Sequence, residues 1–169
     1  MIDVVLLRGA NVGNKRFSPK AVEAQLKDLQ LTSIGAAGTF VLGASAAETT
    51  LRERFAAVMP FAPELLLFSA AEVAALVRAG AGLSVPPGAR AFATGMDGSG
   101  STVTLPLEVP AGSGWGVRVV GRSGRFLLGV RRRVDATGIY PNEVVERALG
   151  VRATTRDWTT IQKVAALLR

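Results

Sequence analysis

The order of segments over residues 4–68 narrows the fold more than any other feature of this chain. Val4-Val5-Leu6-Leu7 is a short apolar run and reads as a first strand. Ser18-Pro19 supplies a helix N-cap with proline at the first helical position, and Val22, Leu26 and Leu29 then recur on one face, so a helix is expected to about Leu29. Leu31–Ile34 and Thr39–Leu42 read as two strands joined by a glycine-rich turn at Gly35–Gly38. A second helix is expected from about Ala46 to Val58, with Leu51, Phe55 and Val58 inward, and Glu64–Phe68 is a fourth strand. Strand-helix-strand-strand-helix-strand is the split βαβ order of a ferredoxin-like unit.

The remainder predicts a second small unit, richer in strands. Ser69, with Glu72 three residues on, forms a capping box ahead of Val73, Leu76 and Val77, so a third helix follows. Gly80–Gly88, with its Pro86-Pro87 pair, marks a boundary. Arg90–Gly95 and Val103–Val109 read as strands. Gly116–Val120 and Arg125–Val130 read as a hairpin turning through residues 121–124. Pro141–Leu149 is a helix stopped by Gly150, and a last helix starts at Thr159 or Thr160, with Ile161, Val164, Ala165 and Leu168 on its apolar face. The expectation is an α+β protein of two ferredoxin-like subdomains with antiparallel sheets, residues 1–80 and 81–169.

What the chain lacks excludes much chemistry. Its 169 residues contain no Cys and no His, so thiol nucleophiles, disulfides, the usual zinc sites and a Ser-His-Asp triad are all ruled out. No run approaches the ~18 apolar residues of a membrane span. Asp3 stands where a signal peptide needs positive charge. These features predict a soluble cytoplasmic protein without a membrane association. The net charge of +7 is unevenly placed: residues 1–110 balance nine Lys/Arg against nine Asp/Glu, whereas residues 111–169 hold eleven against four. Such a field suits phosphates or nucleic acid, and suits equally a solvated surface that keeps the protein apart from itself.

Three segments offer groups for chemistry. Arg8 to Lys15 spells G-x-x-x-G-x-K from Gly9. Its spacing is a residue short of a P-loop and the hydroxyl residue is missing, so nucleotide hydrolysis is not expected. Gly9 and Gly13 can turn backbone N–H groups toward an anion, with Arg8, Lys15 and Asn11 adding charge and an amide. The same residues also serve a plain strand-to-helix corner. Arg131-Arg132-Arg133 places Arg131 and Arg133 on one face of a strand, a weak nucleic-acid signal to which Trp115, Tyr140 and Trp158 could add stacking. Thr154, Thr155 and Arg156 precede Trp158 and a helix N-terminus, where they either tie the helix to the sheet or hold an oxyanion. Asp135, Glu143 and Asp157 read as ion-pair or capping partners, and no carboxylate couple stands out for acid–base work.

The two ends, LLRGANVGNK and LGVRATTRDWTTIQKVAALL, together resemble the bacterial domain of unknown function family 1697, with its LRG-x-NVG start and ATTRNW-x-T ending. The resemblance spans essentially the whole chain. It implies two ferredoxin-like halves in a small cytoplasmic protein, and carries no activity with it. The matching positions are Arg8, Gly9, Asn11, Val12 and Gly13, then Thr154, Thr155, Arg156, Trp158 and Thr160. Where members often carry Gln-Ser-Gly-Asn, this chain has Ala36-Ala37-Gly38-Thr39. Where many carry Ser/Thr-Lys-Leu-Thr-Asn, it has Gly138-Ile139-Tyr140-Pro141-Asn142. The Asn before Trp is Asp157. A shared family site would have an altered ligand preference here.

The leading expectation is a binding module with no cofactor and no metal. In it Arg8, Gly9, Asn11, Gly13 and Lys15, the Tyr140/Asn142 turn, and Thr155, Arg156 and Trp158 converge on one phosphate-bearing or other anionic ligand: a metabolite, a nucleotide or a nucleic-acid backbone. One alternative is an enzyme acting on a phosphorylated substrate, with Tyr140 or Lys15 carrying the proton and Arg8 or Arg156 as electrophile. The other is a protein-interaction adaptor. Oligomeric state is not legible.

Overall fold

The computed structural model describes residues 1–10, 16–133 and 138–169. The chain is α+β and forms two ferredoxin-like units with antiparallel sheets. The compact units are Met1–Val73 with Lys163–Arg169, and Ala74–Gln162.

The first unit follows the expected order: β1 (Ile2–Arg8), α1 (Pro19–Gln25), β2 (Leu31–Ile34), β3 (Thr39–Ala46), α2 (Glu48–Val58) and β4 (Glu64–Phe68). Its four strands lie in the order β2-β3-β1-β4, each neighbour antiparallel. The β1 run is buried on both faces: Val5 and Leu7 join a core with Val22, Phe40, Leu51 and Phe55, while Val4 and Leu6 are buried on the other side. Phe40 and Phe55 meet edge to face at 5.4 Å between ring centroids, the arrangement their quadrupoles favour.

Helix α1 is shorter than expected. Ser18 Oγ accepts from the Ala21 N–H at 3.2 Å and Pro19 opens the helix, but Leu26 leaves helical geometry. A 3-10 turn, Lys27–Leu29, carries the chain on, and Gln30 in the left-handed region (φ 50°) releases it into β2. The break lets both Leu26 and Leu29 reach the core before a strand that begins two residues later. Arg54 of α2 clamps this turn through two hydrogen bonds to Asp28, at 2.6 and 2.7 Å, which hold the Asp28 carboxyl below its ordinary pKa.

Helix α3 (Ala70–Gly80) opens with the reciprocal capping box its sequence predicts: Ser69 Oγ accepts from Glu72 N–H at 3.2 Å and Glu72 from Ser69 N–H at 2.9 Å. The second unit then contains β5 (Arg90–Met96), β6 (Leu107–Val109), β7 (Val117–Ser123), β8 (Phe126–Arg131), α4 (Pro141–Leu149), β9 (Ala153–Asp157) and the start of α5 (Trp158–Leu167). The sheet runs β6-β7-β8-β5-β9. Without β6 this is the order of the first sheet again, with β5, β7, β8 and β9 in the places of β1, β2, β3 and β4. Between β5 and β7, where the first unit has α1, this unit has a loop and β6.

Two expectations are corrected here. Val103 and Leu105 are not in a strand, because Pro106 and Pro110, each after a cis peptide bond, confine the pairing to three residues. The hairpin turn is tighter, with only Gly124 and Arg125 between the paired Ser123 and Phe126. Gly124 takes the positive φ (57°) that a two-residue hairpin loop demands.

Gly129 on β8 is where packing is closest. A Cβ there would lie 2.1 Å from the Arg118 carbonyl oxygen and 2.9 Å from the Phe92 ring. Phe92 is fully buried and pairs across β5–β8 with this glycine. Gly129→Ala is therefore expected to cost about 1–3 kcal/mol by forcing backbone apart, read as a lower denaturant midpoint at unchanged slope.

Candidate functional site

Arg8 ends β1 opposite Glu64, the first residue of β4, and the two side chains form an ion pair at 2.5 Å. Gly9 follows with φ 68°, and nothing among the described residues lies within 4 Å of where its Cβ would be. Asn11, Gly13 and Lys15 lie outside the described residues.

The C-terminal motif is split by the sheet it belongs to. In β9, Thr155 pairs with Thr94 and Arg156 with Ala93, so the two motif residues point to opposite faces. Thr155 Oγ1 is 2.7 Å from the Oγ1 of fully buried Thr94, on the α4 side with Phe92 and Met96. Arg156 turns the other way and is buried. Its Nη1 donates to Thr154 Oγ1 and to the Thr155 carbonyl, both at 2.8 Å. Burial pushes its pKa down to about 10, so at neutral pH the guanidinium remains a buried cation. Trp158 opens α5, and its indole lies where a Gly80 Cβ would be, 2.2 Å from the Cη2 atom. Gly80 thus makes room for the ring at the end of α3.

Much of the basic excess is engaged by the protein's own groups. Arg131 pairs with Asp157 at 2.9 Å. Arg118 and Arg132 stack on the indole of buried Trp115, with guanidinium carbons 4.1 and 4.0 Å from its centroid. Arg132 also donates to the carbonyls of Trp115 and Ser113, Arg122 to those of Ser99, Ser101 and Gly124, and Arg152 to Asp97. The Trp115 ring is thus occupied by the protein's own cations and offers no stacking surface to a base. Arg133 is exposed, and the side chains of Arg90, Arg133 and Arg147 have no ion-pair or hydrogen-bond partner among the described residues.

Tyr140 leads to a different place. It is the N-cap of α4, makes no side-chain cap bond and is 54% exposed. Its phenol lies back over Gly138, where a Cβ would stand 3.0 Å from the hydroxyl oxygen. It forms one end of a groove of about 480 Å³ between β6 and α4. Leu107, Val109, Ile139 and Val144 supply the apolar lining, and Glu143, Arg147 and Ala148 continue along the helix wall. Asn142, the second residue of α4, is half-buried and does not line the groove. Nor do Thr155, Arg156, Trp158, Arg131 or Arg133. Arg156 is on the face of β9 turned away from Thr155, and Thr155 is engaged by Thr94 beneath α4. Sequence reasoning missed Leu107, Val109 and Arg147 as site residues. The one local signal was that Arg147 follows Glu143 by one helical turn.

Among the described residues no three of His, Cys, Asp and Glu gather as a metal site, and no helix is long and apolar enough to cross a membrane. The structure is similar to that of conserved bacterial protein SP0830 from Streptococcus pneumoniae, with a TM-score of 0.59 and 16% identity over 99% of this chain and 98% of that one. At this identity the likeness shows a shared fold. No protein-family model and no curated protein matches the chain.

One consequence of the β9 geometry is measurable. Thr154→Val removes an acceptor from the buried Arg156 cation while keeping its volume. It is expected to lower stability by about 1.5–3 kcal/mol, whereas Thr159→Val, at an exposed position on α5, leaves it within about 0.5 kcal/mol. Equilibrium denaturation of both variants checks this.

Proposed function

We propose that this chain binds a small anionic ligand and that the groove between β6 and α4 is its site. One observation carries the reading: Arg147, a cation with no partner of its own among the described residues, borders a groove of about 480 Å³. That volume falls in the range of about 300–1,000 Å³ typical of small-molecule sites, and the mixture of apolar wall with few polar groups is typical as well. The surrounding unit favours an anion, with eleven Lys/Arg against six Asp/Glu. In this reading the Arg8–Gly9 turn and the Thr154–Trp158 segment are structural corners, and the end motifs mark kinship with family 1697 through its architecture. The nucleic-acid alternative loses two of its supports, since Arg131 is paired and Trp115 is covered.

A thermal-shift panel tests the proposal, with inorganic phosphate, nucleotides, sugar phosphates, simple carboxylates and short DNA and RNA at low and moderate salt. A ligand at a hundredfold excess over its Kd adds about 2.7 kcal/mol, a rise of about 5–10 °C for a chain of this size. Stabilisation by a small anion, cut to about half in Arg147→Gln and kept in Arg133→Gln, is the expected result. Stabilisation by nucleic acid alone, falling steeply with salt and lost in the double variant Arg131→Glu/Arg133→Glu, would replace it with the nucleic-acid reading.

A further inference from the structure

We infer that the ligand of this groove is an amphiphile: one carboxylate or phosphate monoester on a single apolar body the size of a short acyl chain or one ring. The inference rests on the anion reading above and narrows it. Leu107 and Val109 stand two residues apart on β6 and so project from the same side of the strand. Val144 and Ala148 stand one helical turn apart on α4 and form the facing stripe. Between them the lining is hydrocarbon, closed at one end by Ile139 and the Tyr140 ring. Such walls give a ligand's apolar body its affinity.

The polar groups set the ligand's direction and its charge. Arg147 is the one cation among the described residues of the lining. Glu143, one turn nearer Tyr140, is the one carboxylate among them, and no ion pair joins the two. An anionic head is therefore attracted at the Arg147 end and repelled at the Tyr140 end. A single head meets this arrangement. A polyphosphate or a phosphodiester chain, which needs several cations in a row, does not.

Titration calorimetry with octanoate, hexanoate, octyl phosphate, 1-octanol and inorganic phosphate tests the inference on the full chain. Octanoate or octyl phosphate is expected to bind, with affinity falling about fourfold for each methylene removed. Which of the two binds more tightly identifies the head group. Arg147→Gln should weaken binding about tenfold and Glu143→Gln should strengthen it about two- to fivefold. Ala148→Phe, at an exposed position, should fill the groove and abolish binding while leaving the unliganded melting temperature within a few degrees. Binding of inorganic phosphate or a nucleotide through Arg147, with none of octanoate or octyl phosphate, would overturn the amphiphile and leave the anion reading standing. Octanol binding as tightly as octanoate would overturn the anion reading along with it. Octanoate binding unaffected by both Arg147→Gln and Ala148→Phe is non-specific adsorption, and likewise overturns the inference.

Discussion

A sheet of four or five strands presents an apolar face wider than one helix can cover. A helix with its side chains is about 10 Å across, and five strands span about 19 Å between the outer axes. The first unit meets this requirement with two helices, α1 and α2, whose Val22, Leu51 and Phe55 close over Val5, Leu7 and Phe40. The second unit has α4 alone for the same task, and α4 lies toward β5 and β9. The uncovered side is the β7–β8 side, where a ferredoxin-like unit puts its first helix. Val103, Leu105, Leu107 and Val109, from the segment that replaces that helix, pack against the core there. An irregular segment cannot match a helix in area, and the β6–α4 groove is the space left over. The groove thus follows from a topological substitution, with no special motif required.

The same substitution explains where the arginines went. A loop that takes the place of a helix brings carbonyls without the helix's own hydrogen bonds, and these are open to other donors. Guanidinium groups supply several each. Arg122 serves Ser99 and Ser101 of this loop and Gly124 of the β7–β8 turn, and Arg132 serves Ser113 and Trp115. Trp115, buried at the end of the loop, gives Arg132 a flat surface, shared with Arg118, which also pairs with Glu108 at 3.7 Å. Much of the basic excess that suggests a phosphate surface is thereby scaffolding for irregular backbone. Charge counted along a sequence does not distinguish a cation facing solvent from one bonded to the protein's own carbonyls.

This distinction also marks how far the sequence could be read. The fold was legible because its signals are local: the Ser18-Pro19 cap, the Ser69/Glu72 box, the apolar runs of β1 and β4, and the stop at Gly150 each act within a few residues. Errors arose where long-range geometry decides. α1 stops at Gln25 because two leucines must reach the core before β2, and the run Val103–Val109 keeps only three paired residues between its prolines. The candidate site was less legible for the same reason. Thr155 and Arg156 are neighbours in sequence and lie on opposite faces of β9. Leu107 and Arg147 are forty residues apart and line one groove. Motif density measured how much the fold needs a segment, and Thr154, Arg156 and Trp158 are largely occupied in holding it together.

An open apolar groove has a cost that bears on function. Leu107, Val109 and Ile139 are only partly buried, so hydrocarbon that a first helix would have covered meets water. Burying it is worth about 25 cal/mol for each Å² removed from solvent, and a helix in this position would gain that stabilisation for the fold itself. In the absence of such a helix the same free energy is available to whatever enters from outside. A ligand's apolar body can take it up, provided the rest of the molecule satisfies Arg147 and avoids Glu143. On the proposed reading, the groove's preference is the complement of what is missing from the fold: an apolar surface of limited extent with one negative charge at its edge.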